Sequence, residues 1–383
     1  MSTHTNRDSL PSCAVLLAGG RGTRFWPRSR VRTPKQLLDI TSRRTMLREA
    51  VARLSPLLPP RNIWVVTNTE QAAAVQRELR GVPPSHILAE PIGRNTAAAI
   101  GFAAIHLARE YGDALMAVLP SDSYIAEAAR YRSILRAALG LASEPGNLVV
   151  LGVPPTRPET GYGYIERAGV AAKPRGIAAF GVRRFTEKPA LPLARKYVSS
   201  GRYFWNAGMF FWRVSTFLDN LKRFLPGTYG PLIELGKLIG TPRYARALKR
   251  IYPQFENISV DYAIMEPVTR MRSAGTGQRK HANGARVSVI PARVGWSDIG
   301  SWAAVYELLA AKQGANVSAG PSFSLDASGN YLWAPDKFVA AIGVRDLVLV
   351  ETRDALLLCS RDRSQEVSKI VKWLESRKIE GLL

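Results

Sequence analysis

Short apolar runs alternate with amphipathic stretches from Ala14 to Leu151, and this alternation constrains the fold more than any other feature of the chain. Strands are expected at Ala14–Leu17, Asn62–Thr67, Ile87–Ala89, Leu115–Leu119 and Leu148–Leu151, with helices at Thr45–Leu54, Glu70–Arg80, Thr96–Arg109 and Glu127–Leu141. That order predicts a parallel, doubly wound α/β sheet with helices on both faces. Ligands of such sheets sit outside the carboxyl ends of the strands. Gly19–Thr23 and Pro120–Asp122 each follow a strand directly, so two segments distant in sequence are predicted to share one crevice.

The first segment lies in Ala18-Gly19-Gly20-Arg21-Gly22-Thr23-Arg24-Phe25-Trp26-Pro27-Arg28-Ser29-Arg30, followed closely by Pro34-Lys35-Gln36. Its glycines let backbone N–H groups approach an anion, and Arg21, Arg24 and Lys35 surround that position with fixed positive charge. Such a loop suits a polyphosphate. The third glycine of the dinucleotide fingerprint is missing, and no Lys-Ser/Thr pair completes a P-loop.

The formal charge is +23, from 53 basic and 30 acidic residues, which raises nucleic acid as a partner. The excess is spread widely, however, and no helix-turn-helix, zinc spacing or aromatic ribonucleoprotein motif accompanies it, so no nucleic-acid partner is expected. Between residues 21 and 44 eight basic residues face only Asp39, which suits a triphosphate funnel. Met1–Ser12 is a polar tail, and no apolar run approaches the roughly 18 residues of a spanning helix, so a cytoplasmic chain without membrane partners is expected. Cys13 and Cys359 adjoin or lie within apolar runs and are read as small buried hydrophobes, not as a disulfide. None of the four histidines has a neighbour suggesting acid–base catalysis.

The stretch from Ala18 to Gln36 resembles the sugar-nucleotide pyrophosphorylases, whose signature is Gly-Gly-x-Gly-Thr-Arg-Leu-x-Pro followed by Pro-Lys; here Phe25 replaces the leucine. Trp26 and Ser29-Arg30…Pro34-Lys35-Gln36 are similar to the mannose-1-phosphate guanylyltransferase branch. The resemblance implies a Rossmann-like, GT-A-like nucleotidyltransferase domain, GTP and mannose 1-phosphate as substrates, and Mg²⁺ as cofactor. Gly19, Gly20, Gly22 and Thr23 would then cradle the nucleotide, while Arg24 and Lys35 hold the leaving pyrophosphate. Asp122 in Leu119-Pro120-Ser121-Asp122 and Asp298 in Trp296-Ser297-Asp298-Ile299-Gly300-Ser301-Trp302 would share the metal, with Ser121 beside the nucleotide. Competing readings make Asp122 a turn residue and Asp298 a helix cap. Glu90-Pro91-Ile92-Gly93-Arg94-Asn95-Thr96 resembles the guanylyl element that selects the base, with Glu90, Gly93 and Asn95 on the nucleotide; Asn95 or Thr96 is also expected to cap the following helix.

Toward the sugar, the resemblance extends to Glu159-Thr160-Gly161-Tyr162-Gly163-Tyr164-Ile165, to Phe185-Thr186-Glu187-Lys188-Pro189 and to Trp205-Asn206-Ala207-Gly208-Met209-Phe210. Tyr162, Gly163, Glu187 and Asn206 are the expected hexose contacts, Lys188 the expected partner of the sugar phosphate, and Asp261 in Ser259-Val260-Asp261-Tyr262 a further pocket residue. Where the guanylyl branch usually has histidine after the first metal aspartate, this chain has Ser123. The same reaction on another hexose or heptose 1-phosphate, and a non-catalytic relative, are the rival readings.

After residue 155 shorter strand-like runs follow at Tyr162–Glu166, Phe180–Phe185, Met209–Arg213 and Arg286–Ile290, with helices at Leu191–Val198, Thr216–Phe224 and Ser301–Leu309 and a polar loop at Gly275–Gly284. With the resemblance, a polar N-terminal tail over 1–12, a nucleotidyltransferase domain over 13–312 and a β-helix-like domain over 313–383 ending in a helix from about Gln365 are expected. Val367, Ile370, Val371 and Leu374 give that helix an apolar stripe, with Ser364 as its expected cap. Nothing resembles the isomerase domain fused to longer members of the family, and a homodimer is compatible with the sequence.

Overall fold

The computed structural model describes residues 10–273 and 286–383; the loop expected at Gly275–Gly284 lies outside them. Four strands, β1 (Ser12–Leu17), β2 (Ile63–Asn68), β3 (Ile87–Glu90) and β4 (Leu115–Pro120), pair in parallel in the order β3-β2-β1-β4. Alternation along β1 explains the two covered faces. Cys13 and Val15 pack with the helix Asn95–Tyr111, whereas Ala14 and Leu16 pack with the helices Met46–Leu54 and Ala128–Ala142.

A two-residue β5 (Tyr124–Ile125) precedes β6 (Asn147–Val153), β7 (Tyr164–Ala172), β8 (Ala179–Thr186), β9 (Tyr203–Arg213) and β10 (Arg286–Pro291), while β11 (Trp296–Ser297) pairs with β5. The five strands expected to run parallel all point the same way, and the sheet becomes mixed through a later strand. β9 inserts antiparallel between β4 and β6, pairing Met116 with Trp212 and Val150 with Phe210, so the nine-stranded sheet is mixed. Phe210, Phe211 and Trp212 are consecutive and all buried, which requires cover on both faces and therefore a central place for the strand. β9 also reaches back to Tyr203, six residues before the expected start at Met209, through an alternating stretch that buries Tyr203, Trp205 and Ala207 and pairs Trp205 and Asn206 with β6.

The C-terminal domain, a β-helix-like tail to the main sheet, forms rungs: β12 (Val317–Ala319), β14 (Tyr331–Trp333) and β16 (Leu347–Glu351) stack in parallel, as do β13 (Ser322–Leu325) and β15 (Val339–Ile342), and β17 (Leu356–Ser360) closes antiparallel on β16. Asn330, fully buried, stitches successive coils by donating to Asn316 Oδ1 at 3.0 Å and the Val344 carbonyl at 3.2 Å and by accepting from the Leu347 N–H at 2.9 Å. The closing helix spans Val367–Ser376 behind a 3-10 turn at Arg361–Glu366. Its expected cap fails: the Ser364 hydroxyl instead accepts the Ala303 N–H at 3.4 Å, in the first turn of the helix Trp302–Leu309.

Val367, Val371 and Leu374 share one core with Phe25 and Trp26 of the glycine-arginine loop and with Trp302, Tyr331 and Val348. Trp302 is fully buried against Phe25 and Tyr331, at ring-centroid distances of 5.1 and 5.6 Å, and donates its indole N–H to the Trp26 carbonyl at 3.2 Å. Trp302→Ala should therefore cost about 3–5 kcal/mol of unfolding free energy in urea titration, because cavity and lost transfer energy add. A loss under about 1 kcal/mol would show that this core does not hold the tail to the loop.

Both cysteines are free, Cys13 buried and Cys359 partly so, and burial pushes the Cys13 thiol up to about 12. His86 stacks on Trp64 at 3.8 Å and His106 meets the Tyr244 hydroxyl at 2.7 Å, so both serve packing. Among the described residues no helix is long and apolar enough to cross a membrane.

Candidate active site

Gly22 takes a left-handed conformation, φ 63°, and a side chain there would collide with Cβ of Lys35; glycine is needed at that contact. The close approach seats Lys35 against the loop, and its ammonium is almost fully buried. Lys35 Nζ donates to Asp122 Oδ2 at 2.9 Å and to the Asp298 carbonyl at 2.6 Å, with the Phe25 ring 5.4 Å away. One ammonium thus joins the ends of β4 and β11 to the loop after β1.

Asp298 does not cap the helix Trp302–Leu309, whose N-cap residue is Ser301, without a side-chain capping bond. Its Oδ1 accepts the Tyr162 hydroxyl at 2.6 Å, and burial, followed by the Asp298 charge, raises the phenol's pKa. Tyr162 in turn sits edge-on to Trp205 and Trp296. Among the described residues no three His, Cys, Asp or Glu side chains are placed so that they alone could hold a metal ion. Asp122 and Asp298 line the same cleft, and a pair of carboxylates beside room for phosphates is the donor set that suits Mg²⁺, which keeps water and substrate oxygens as its other ligands.

Gly163 abuts the Glu187 carboxylate, and a Cβ there would also stand 3.1 Å from Cβ of Asn206. Asn206 donates through Nδ2 to Asp261 Oδ1 at 2.8 Å, and its backbone N–H bonds the Gly163 carbonyl at 2.8 Å. Burial, then the Glu187 charge, pushes Asp261 up to about 7, and burial also raises Glu187. Glu187 Oε2 is buried with no partner among the described residues, an acceptor left over in a polar pocket. Lys188 is mostly exposed and not among the residues lining the cleft, with Nζ 3.3 Å from Glu187 Oε1.

Glu90 stands at the end of β3, buried, accepting the Tyr252 hydroxyl, and a Cβ on Gly19 would lie 3.2 Å from its Oε2. Burial pushes its carboxyl up to about 7 from an ordinary 4.5. A raised acid pKa means the folded chain holds the proton more tightly than the unfolded one, so this contribution to stability is full below about pH 4.5 and is lost as pH rises through about 7. Glu90→Gln removes it. In the unliganded protein the variant should gain about 2 kcal/mol on wild type between about pH 5 and pH 7.5, read from urea unfolding at each pH. Parallel curves for the two proteins would place the Glu90 titration outside this window.

Other expected residues are engaged locally. The Ser121 hydroxyl donates to the Leu17 carbonyl at 2.7 Å, tying β4 to β1. Asn95 takes φ 63° and its Oδ1 accepts the adjacent Thr96 N–H at 2.9 Å, while Thr96 Oγ1 accepts the Val260 N–H at 2.9 Å, so neither caps the helix as expected. Glu90 stands behind Gly19, and Glu90, Gly93 and Asn95 are not among the residues lining the main cleft. That cleft, of about 890 Å³, brings together Gly20, Gly22, Arg24, Lys35, Asp122, Tyr162, Gly163, Glu187, Asn206, Asp261 and Asp298.

Sequence reasoning missed Tyr252, which is spent on Glu90, and Arg361, Asp362, Ser364 and Gln365, which reach the cleft from the β-helix-like tail. No motif marks the tail residues, whose relevance comes only from packing.

Residues 13–314 match the nucleotidyl transferase family, and residues 320–374 match the MannoseP isomerase/GMP-like beta-helix domain. The chain belongs to the nucleotidyl transferase family. Within that family its relatives are mannose-1-phosphate guanylyltransferases and kindred polysaccharide proteins. The Xanthan biosynthesis protein XanB of Xanthomonas campestris is 38% identical over 374 residues, 96% of this chain and 74% of that protein. The mannose-1-phosphate guanylyltransferase of Escherichia coli K12 is 36% identical over 367 residues, 94% and 73% of the two chains. A solved structure from Thermus thermophilus, described as a mannose-1-phosphate geranyltransferase, superposes with TM-score 0.82 at 32% identity, covering 96% of this chain and all of that one. This nucleotidyl transferase is an enzyme by that kinship, with a Rossmann-like domain followed by a β-helix-like one.

Proposed function

We propose that this nucleotidyl transferase moves GMP from GTP to α-D-mannose 1-phosphate, forming GDP-mannose and pyrophosphate. The observation that carries the reading is Lys35, whose ammonium meets Asp122 and the Asp298 backbone inside a cleft shared with the polar pocket of Glu187, Asn206 and Asp261. A sugar-phosphate oxygen attacks the α-phosphorus, the bond to the β-phosphate oxygen breaks, and that oxygen leaves with the electron pair on pyrophosphate. Arg24 and Lys35 neutralise the charge that builds on the leaving group, and Lys188, paired with Glu187, meets the sugar phosphate. Asp122 and Asp298 would hold Mg²⁺, which when bound supplies charge neutralisation between the two polyanions.

Glu90, once deprotonated, presents acceptors to the N1–H and exocyclic amine of guanine from its place beside Gly19. Glu187, with an unsatisfied oxygen, and Asn206 take the sugar hydroxyls, and Asp261 orients Asn206. The cytoplasm, where GTP and sugar phosphates are available, is the compartment this chemistry suits.

The test is pyrophosphate release from GTP by the purified chain across a panel of sugar 1-phosphates with Mg²⁺. Mannose 1-phosphate should give the highest kcat/KM. A different hexose or heptose ranking well above it would transfer the assignment to that sugar, and no release with any sugar would leave a non-catalytic relative.

A further inference from the structure

Gly20 and Gly22 line the cleft, yet Arg21 between them does not, because its guanidinium points to the closing helix and bonds Glu375 Oε1 at 2.6 Å. Arg24 does line the cleft, and its Nη1 donates to Gln365 Oε1 at 2.8 Å. Both acceptors belong to the tail. We propose that Gln365 and Glu375 are positioning residues for the polyphosphate: Gln365 aims Arg24 into the cleft while Glu375 holds Arg21 out of it until a phosphate oxygen displaces the carboxylate. The proposal deepens the functional reading above and rests on it.

The two contacts differ in the way this division requires. Gln365 is neutral, so it fixes the Arg24 fork without cancelling its charge. Its segment is rigidly carried: Arg361 beside it donates to the Gly329 carbonyl at 2.7 Å and stacks over Tyr306 at 3.9 Å, and Ser364 is buried against the helix that follows Asp298. Glu375 carries a charge, and the pair it forms is open to water on both sides, with 46% and 38% of the two side chains exposed. Exposed pairs of this type are weak and exchange readily for a better anion. A triphosphate offers several oxygens to the same guanidinium, next to glycines whose N–H groups are free to approach it. The tail therefore competes with substrate for one arginine and prepares the other.

Isothermal titration of sodium tripolyphosphate and of GTP into the full chain tests this without depending on the sugar. Glu375→Gln should lower Kd for both ligands about two- to fivefold, the range set by one exposed ion pair. Combining it with Arg21→Ala should erase that gain, since the benefit passes through Arg21 alone. Gln365→Glu should raise Kd, because a carboxylate would then pair with Arg24, and Gln365→Ala should lower kcat about three- to tenfold. Melting temperatures of all variants monitor folding, which a merely structural tether would alter without moving Kd in opposite directions. Equal Kd values for wild type and Glu375→Gln overturn the proposal and leave the functional reading intact, whereas a wild type that binds neither ligand overturns both.

Discussion

Lys35→Ala lowers the rate of pyrophosphate release by about 10²–10³, the usual consequence of losing one preorganised group that stabilises developing charge. The substitution is a clean one here. Alanine keeps the Cβ that packs against Gly22, so the loop retains its support while the ammonium that meets Asp122 and the Asp298 carbonyl disappears. Loss of charge acts on the transition state, where pyrophosphate departs, and so the effect belongs in kcat measured under saturating GTP and mannose 1-phosphate. The folded fraction should be unchanged by circular dichroism. A variant within about threefold of wild type would remove Lys35 from the mechanism.

Asp122→Asn and Asp298→Asn should each raise the Mg²⁺ concentration for half-maximal activity by at least about tenfold, since even groups behind a metal ligand are worth that much affinity and a neutral amide is a poor ligand for a hard cation. Both replacements preserve shape. In Asp298→Asn the amide oxygen can still accept the Tyr162 hydroxyl, and in Asp122→Asn it can still accept from Lys35 Nζ, so the hydrogen bonds at 2.6 and 2.9 Å have isosteric successors. The measurement is a Mg²⁺ titration of initial rate at fixed GTP, with urea unfolding as a control for stability. Unchanged Mg²⁺ dependence in both variants would refute the shared-metal arrangement.

Much of this site was legible before any coordinates because its chemistry is written in contiguous motifs. The glycines of the first loop, Asp122 at a strand end and the Trp-Ser-Asp-Ile-Gly-Ser-Trp element each combine a local backbone requirement with a charged group, and local requirements are readable from sequence. Other features were hidden for equally physical reasons. β9 reads as a short strand because Phe210–Trp212 is an unbroken apolar run whereas Asn206 and Gly208 interrupt the stretch before it, and only the demand of Phe210–Trp212 for cover on both faces draws the strand to the centre of the sheet. The caps expected of Asn95, Asp298 and Ser364 failed because each side chain found another partner: the adjacent Thr96 N–H, the Tyr162 hydroxyl, and the Ala303 N–H.

By itself the sequence determined the α/β class, the strand-end position of the glycine-arginine loop and the residue types proposed to meet two polyanions, because strand periodicity, glycine torsions and formal charge are properties of short stretches of chain. Tertiary structure alone decided that the tail belongs to the site. Trp302, Phe25 and Val371 bury one another across stretches of sequence that share no local pattern, and that common core carries Gln365 and Glu375 to the arginines of the first loop. Burial of apolar surface is blind to sequence separation, so contacts it enforces become visible only once the chain is folded.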